Sequence, residues 1–259
     1  AENSKEFNAD STGFLSFPKN NNSAYNAQVA VLYAMNDNLS FNCSVSYKTR
    51  FATMKDRYSY KIGAALPNPD LKSEKATNID LGADMSISKL SFKPGIFYRK
   101  IFNTIQQVSN VQEGLAQMQN TGESQFYGAD FSLVYKPFTF VNVLVNYTFV
   151  KRENLSNPDI LFTDVPEHQI VAMIDATPLK NLDFNVNGMY YSERNSTSYG
   201  ITAPAFIVFN TRLAYEFKYG ISVETGINNL FDKNYCFSEG YPEEGRNFFL
   251  SLYYHFLKK

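Results

Sequence analysis

Two histidines and two cysteines are the residues of this 259-residue chain best suited to nucleophilic, proton-transfer or metal chemistry, and their placement gives them little to share. His168 stands in Pro166-Glu167-His168-Gln169, where a long connector becomes a strand, and His255 lies beside the C-terminus. Residues expected at opposite ends of a sheet cannot share a metal or a Ser-His-acid constellation. No G-x-S-x-G, H-E-x-x-H, P-loop or cysteine pair at zinc spacing is present. The sequence therefore predicts no catalytic site, no metal site and no cofactor, and His168 reads as a hydrogen-bonding residue at a loop rim. Cys43 falls on an apolar face and reads as a small apolar residue, whereas Cys236 falls in or near the last long connector. Different depths argue against a disulfide between them. The acids Asp80, Asp84 and Asp130 have polar-face parity and are expected to pair with Lys or Arg of the same face. What remains with binding chemistry is a set of connector residues: Arg57, Tyr58, Tyr60, Arg152, Arg194, Tyr199 and Tyr241. Arginine suits anionic groups and tyrosine offers a stacking surface. The plainer alternative for each is a solvated loop side chain.

The elements that must position these residues repeat with a period of two. Over 38–48, Leu39, Phe41, Cys43, Val45 and Tyr47 share one face, and Ser40, Asn42, Ser44, Ser46 and Lys48 share the other. Side chains alternate across a strand, so this is a strand with one apolar face. Ten further segments carry the signal: 24–35, 76–87, 90–108, 125–135, 138–150, 168–177, 182–192, 205–217, 221–231 and 247–256. No segment holds a helical period, so little helix is expected. Tyr33, Tyr47, Tyr135, Tyr147, Phe149, Phe217, Tyr254 and Phe256 fall near strand ends, as two interfacial girdles would require, although Tyr and Phe favour strands in any case.

Connector lengths alternate. Short links at 36–37, 88–89, 136–137, 178–181 and 218–220 are interleaved with long ones at roughly 51–75, 109–124, 151–167, 193–204 and 232–246. Long loops gathered at one end, with short turns at the other, are the pattern of an outer-membrane β-barrel. Composition permits this. Lys and Arg number 24 against 25 Asp and Glu, which gives no support for a nucleic-acid partner. The 44% hydrophobic content excludes disorder. No apolar run is long enough for a transmembrane helix, and no basic start with an apolar stretch marks a secretory leader. Eleven strands, however, are an odd number, and an open sheet in lipid would carry two bare edges. The chain is therefore expected to be a piece of something larger, with 1–23 as an extracellular loop or tail, 24–256 as barrel and 257–259 as a C-terminal extension. A hidden strand within 1–23 would instead make a self-contained 12-stranded pore or barrel enzyme. A soluble β-rich adhesin or carbohydrate-binding module is a third reading.

Three stretches name a family. The first runs Asn68-Pro69-Asp70-Leu71-Lys72-Ser73-Glu74 and on to Asp80 and Gly82; the second is Asn229-Leu230-Phe231-Asp232-Lys233-Asn234-Tyr235; the third is Gly240-Tyr241-Pro242 with Gly245-Arg246. In order and spacing they resemble the C-terminal barrel region of TonB-dependent outer-membrane receptors, over about residues 25–256. The prolines read as ending a loop, Asn229 and Asp232 as turning the chain, and Gly240 and Gly245 as supplying permissive dihedrals, so loop support is the reading favoured over cargo contact. The resemblance implies an all-β fold, here the C-terminal half, about 11 strands, of a 22-stranded antiparallel transmembrane barrel. It implies a Gram-negative outer membrane and its lipid. It also implies scarce cargo (ferric siderophore, haem, cobalamin or glycan) and energy from the TonB complex through a plug domain absent from this chain. It further implies that Phe248, Leu250, Leu252, Tyr254 and Phe256 form the terminal signal read by the barrel-assembly machinery, although Leu257, Lys258 and Lys259 extend past the usual aromatic end.

Overall fold

The computed structural model describes residues 5–7, 14–16, 23–59, 63–198, 200–238 and 240–256. Eleven antiparallel strands form one sheet in strict sequence order. They are β1 (Ala27–Asn36), β2 (Leu39–Arg50), β3 (Glu74–Ile87), β4 (Leu90–Phe102), β5 (Ser124–Phe138) and β6 (Val141–Asn154). The sheet continues through β7 (His168–Leu179), β8 (Leu182–Tyr191), β9 (Phe206–Glu216), β10 (Ile221–Asn228) and β11 (Asn247–Tyr254). β1 and β11 are its two edges, so the sheet is an open, partial barrel. Five long connectors leave one end: L1 (51–73), L2 (103–123), L3 (155–167), L4 (192–205) and L5 (229–246).

Register explains why alternation so clearly marks the strands. One row across seven strands reads Val31, Cys43, Leu81, Ile96, Ala129, Phe149 and His168. The row on the opposite face reads Leu32, Asn42, Gly82, Gly95, Asp130, Thr148 and Gln169. Each strand thus contributes to an apolar face and a polar face, because a pleated strand turns successive side chains to opposite sides. The apolar face is uncovered: Val29 is 70% exposed and Leu250 75% exposed. An exposed apolar surface of this extent marks contact with another apolar phase. The polar face is laced internally. Asp84 pairs with Lys93 at 2.6 Å and Asp80 with Arg99 at 3.9 Å, as parity required. Asp130 instead lies over Gly95, its carboxylate 3.1 Å from where a Cβ would stand.

Several boundaries move. The segment expected to be one strand over 90–108 ends at Phe102; Ile105–Gln112 turns away and pairs with Leu115–Asn120 as a hairpin within L2. The link placed at 136–137 is a bulge inside β5, where the register shifts between Tyr135 and Phe138. Pro137 lacks a ladder donor, and a bulge accommodates it. Residues 5–7 and 14–16, expected as loop, pair with each other and not with the sheet. The helical elements include α1 (Met54–Tyr58) and a three-residue 3-10 turn at Lys218–Gly220, and Gly63 is also in a 3-10 turn. Residues 257–259 lie outside the described residues.

Candidate functional site

The five long connectors interlock into a cap. L1 begins with α1, capped reciprocally by Thr53 and Asp56, and this turn buries Arg57 and Tyr58. Leu71 is 1% exposed and packs with Ala52, Ile105 and Met118, joining L1 to L2. Around it, Asn120 clamps Lys72, accepting from its N–H at 2.8 Å and donating to its carbonyl at 3.0 Å. Glu74 accepts from Ile105 N–H at 2.6 Å and pairs with Arg50. L2 meets L3 at Gln106, whose Nε2 donates to Leu161 O at 2.6 Å and whose Oε1 accepts from Asn154 Nδ2 at 3.4 Å. L3 meets L4 where Leu161 N–H donates to Ser198 O at 2.8 Å and Asp164 N–H donates to Asn195 O at 2.9 Å. L4 meets L5 at Arg194. L3 also folds over the polar face, since Phe162 sets its ring edge-on to Phe126 of that face at 4.9 Å.

The cation candidates are absorbed by this cap. Arg57 is 1% exposed, and its Nη2 donates to Leu71 O at 3.1 Å while Nε and Nη1 make no hydrogen bond among the described residues. Arg194 is 4% exposed; its Nε donates to Phe237 O at 3.1 Å and its Nη2 donates to Phe237 O at 2.9 Å and to Cys236 O. Its guanidinium also lies 5.6 Å from the Phe206 ring centroid. Arg152 Nη2 donates to Thr163 O at 3.3 Å and Val165 O at 3.1 Å, with the guanidinium 5.3 Å from the Phe162 centroid. Arg152 stands above the apolar band, because apolar-face parity has already turned charged at Lys151, which pairs with Glu167. Burial pulls the Arg152 guanidinium down to about 10, with Asp164 and Glu167 opposing that shift.

Arg152 and Arg194 line one cavity of about 660 Å³ between L3 and L4, with Ile160, Leu161, Phe162 and Glu193. A second cavity of about 310 Å³ lies among L1, L2, L3 and L4, lined by Lys55, Asp56, Gln117, Met118 and Asp164. Arg57 and Tyr58 line neither. Tyr241 is 75% exposed in L5, opposite Ser238. Tyr60 and Tyr199 lie outside the described residues. Phe162 and Gln106 were not singled out from sequence; the apolar run Ile160-Leu161-Phe162 inside a long connector was the available signal.

The sequence motifs act as loop architecture. Asn229 has a left-handed φ of 51° and closes L5 through Lys233 N–H at 2.8 Å to its Oδ1 and its own Nδ2 to Lys233 O at 2.8 Å and Glu244 O at 3.2 Å. Asp232 Oδ1 accepts from Arg246 N–H at 2.8 Å. Tyr235 packs on Phe206 at 4.8 Å, and burial, with Glu243 and Glu244 nearby, pushes its phenol up. Gly240 takes a φ of 82°, whereas Gly245 is not in the left-handed region and makes room for the Asp232 carboxylate. His168 accepts or donates at 2.9 Å with the Tyr147 hydroxyl and packs on Phe149 at the apolar-face rim. Among the described residues no group of His, Cys, Asp and Glu is placed to hold a metal ion, and Cys43 and Cys236 are both free.

An antiparallel sheet apolar on one face and polar on the other, capped by interlocked loops at one end only, is the wall of a transmembrane β-barrel. Residues 2–230 match the model of the TonB dependent receptor-like β-barrel, and the chain belongs to that family. It is 26% identical over 201 residues to a hemin receptor of Yersinia pestis, covering 72% of this chain and 29% of that protein. It superposes with a TM-score of 0.71 on the siderophore receptor PirA of Acinetobacter baumannii, at 19% identity, covering 93% of this chain and 41% of PirA. The copper transporter OprC gives a TM-score of 0.72 at 17% identity, covering 87% of this chain and 38% of OprC. The chain thus spans well under half the length of each of these proteins. The family is one of transport receptors of the Gram-negative outer membrane, not of enzymes.

Proposed function

We propose that this chain is the wall and loop cap of an outer-membrane receptor that captures a scarce cargo and imports it with energy from the TonB complex. The supporting observation is the cap: its loops are tied to one another and fold over the polar face, lining a cavity of about 660 Å³ at the long-loop end of the sheet. A cavity of that size suits a small-molecule cargo. Haem and ferric siderophores are the first cargoes to test, because relatives bear the names hemin receptor and siderophore receptor; cobalamin and glycans follow. Arg152, Arg194 and Tyr241 are the described candidates nearest such a role; Arg57 and Tyr58 remain candidates through the cap they build, and Tyr60 and Tyr199 remain candidates by residue type alone. The polar face belongs to the lumen of a 22-stranded barrel whose plug carries the segment that TonB grips. β11, with Phe248, Leu250, Leu252 and Tyr254 on its apolar face and Phe256 just beyond, is the segment offered to the barrel-assembly machinery. Residues 24–256 are barrel, 1–23 an external loop or tail and 257–259 an extension.

The test expresses the full-length protein in a strain stripped of its own haem and siderophore receptors and follows uptake of radiolabelled haemin and ferric siderophores, with and without TonB. Saturable uptake that vanishes without TonB is expected. Unsaturable flux indifferent to TonB would point to a diffusion pore and overturn the proposal.

A further inference from the structure

A line of side chains on the polar face reaches from the short-turn half of the wall to L5. Four hydrogen bonds run in a single direction through carboxamides. Asn229 N–H donates to Asn210 Oδ1 at 2.9 Å, and Asn210 Nδ2 donates to Asn187 Oδ1 at 2.9 Å. Asn187 Nδ2 donates to Asn185 Oδ1 at 3.0 Å, and Asn185 Nδ2 donates to Asp175 Oδ1 at 2.6 Å. The chain therefore crosses β7, β8 and β9 and ends on the residue that closes L5. Asn185 and Asn229 are 7% and 3% exposed, so water has little access at either point.

The direction is dictated by the ends. A carboxylate only accepts, so Asn185 must turn its amide nitrogen to Asp175 and its oxygen to Asn187. The same constraint passes to Asn187 and then to Asn210. At the far end a backbone N–H only donates, and Asn210 already presents the oxygen it needs. Both termini impose one orientation on every amide between them, and bonds aligned in this way polarise one another. Reversal of any one amide would set oxygen against oxygen on one side and nitrogen against nitrogen on the other.

We propose that Asp175 is a positioning residue for L5: its carboxylate, on the lumen face of β7, sets the polarity of the amide chain that seats Asn229 and so holds the loop 229–246 down. A cationic group brought to Asp175 from within the lumen would compete for that carboxylate and loosen the loop. Lumen occupancy and an external loop are thereby coupled through side chains of this chain alone. This inference needs the barrel topology but not the cargo.

The test is hydrogen–deuterium exchange by mass spectrometry on peptides covering 229–238 in the full-length protein, in detergent, with the heat-modifiable gel shift as the measure of an intact barrel. Asp175→Leu removes the acceptor and is expected to raise exchange there about tenfold or more. Asp175→Asn, which can still turn an oxygen to Asn185, is expected to change it less than about threefold. Asn187→Leu cuts the chain at its middle and should reproduce the rise, so the inference stays testable if Asp175→Leu fails to assemble. In the double variant the two effects should not add, because a chain already cut transmits nothing from Asp175. Unchanged exchange in an intact Asp175→Leu or Asn187→Leu barrel, or additive effects, would overturn the proposal. A failure of TonB-dependent uptake would leave these exchange results unaffected.

Discussion

Replacement of Arg194 by methionine separates a loop staple from a cargo contact. Methionine keeps an unbranched apolar stem but removes the guanidinium from the carbonyls of Cys236 and Phe237. A hydrogen bond from a charged donor contributes about 1.5–3 kcal/mol. Two L5 carbonyls are served, and the loop relaxes after their loss, so the lower end of the sum, about 3 kcal/mol, is the expected cost of the L4–L5 contact. At about 1.4 kcal/mol per decade, L5 opens roughly 150-fold more often. Cys236 reports that opening directly, because it is a free, half-buried thiol on the hairpin that Arg194 holds. Cys43, the other cysteine, lies in the apolar row, on the face proposed to meet lipid. Labelling of intact cells with a membrane-impermeant maleimide should therefore report Cys236, and the variant should label at least about tenfold faster, the full factor being reduced by whatever access the closed loop already allows. Arg194→Lys should fall between, since an ammonium can serve one carbonyl but lacks the planar fork. Labelling unchanged in Arg194→Met, with cargo affinity lost, would refute the staple and make Arg194 a cargo contact.

Two further outcomes follow from packing. Leu71→Ala empties the buried contact among Ala52, Ile105 and Met118 and should destabilise the L1–L2 junction by about 2–5 kcal/mol; limited trypsin digestion should then cut at Lys72 faster while the heat-modifiable shift of the barrel persists. Gly128→Ala should impair the barrel itself, because its Cβ would stand 2.0 Å from the Phe149 carbonyl oxygen and 2.6 Å from the Phe97 ring. Overpacking of this kind costs about 1–3 kcal/mol or more. The folded fraction on semi-native gels should drop for Gly128→Ala and hold for Gly114→Ala, whose added methyl meets open space and carries only the strain of its φ of +73°.

The wall was legible because its signal is local. Alternation such as Leu39, Phe41, Cys43, Val45 and Tyr47 is imposed strand by strand by two different surroundings, so each segment declares itself without knowledge of its partners. Boundaries blurred where that condition lapsed. Ile105 to Val108 kept an alternating look after leaving the sheet, since a loop hairpin shares the strand's period. Lys136-Pro137 read as a turn because proline signals turns and bulges alike.

The cap was legible only in its residue types. Asn68 finds Met118, and Gln106 finds Leu161, across about fifty residues of chain, and no periodicity reports such a pairing. Arginine sharpens the point. The same fork that binds an anion binds carbonyl oxygens, so sequence alone could mark Arg57, Arg152 and Arg194 as donors but not say what accepts. Each of the three donates to backbone carbonyls of the connectors: L1 for Arg57, L3 for Arg152, and L4 and L5 for Arg194. A loop that carries no regular ladder has carbonyls to satisfy, and a buried multi-donor side chain meets that need at several points from one residue. The arginines that looked like the receptor's grip are first what gives its loops a shape, and a grip on cargo, where it exists, is built on surfaces that those arginines hold in place.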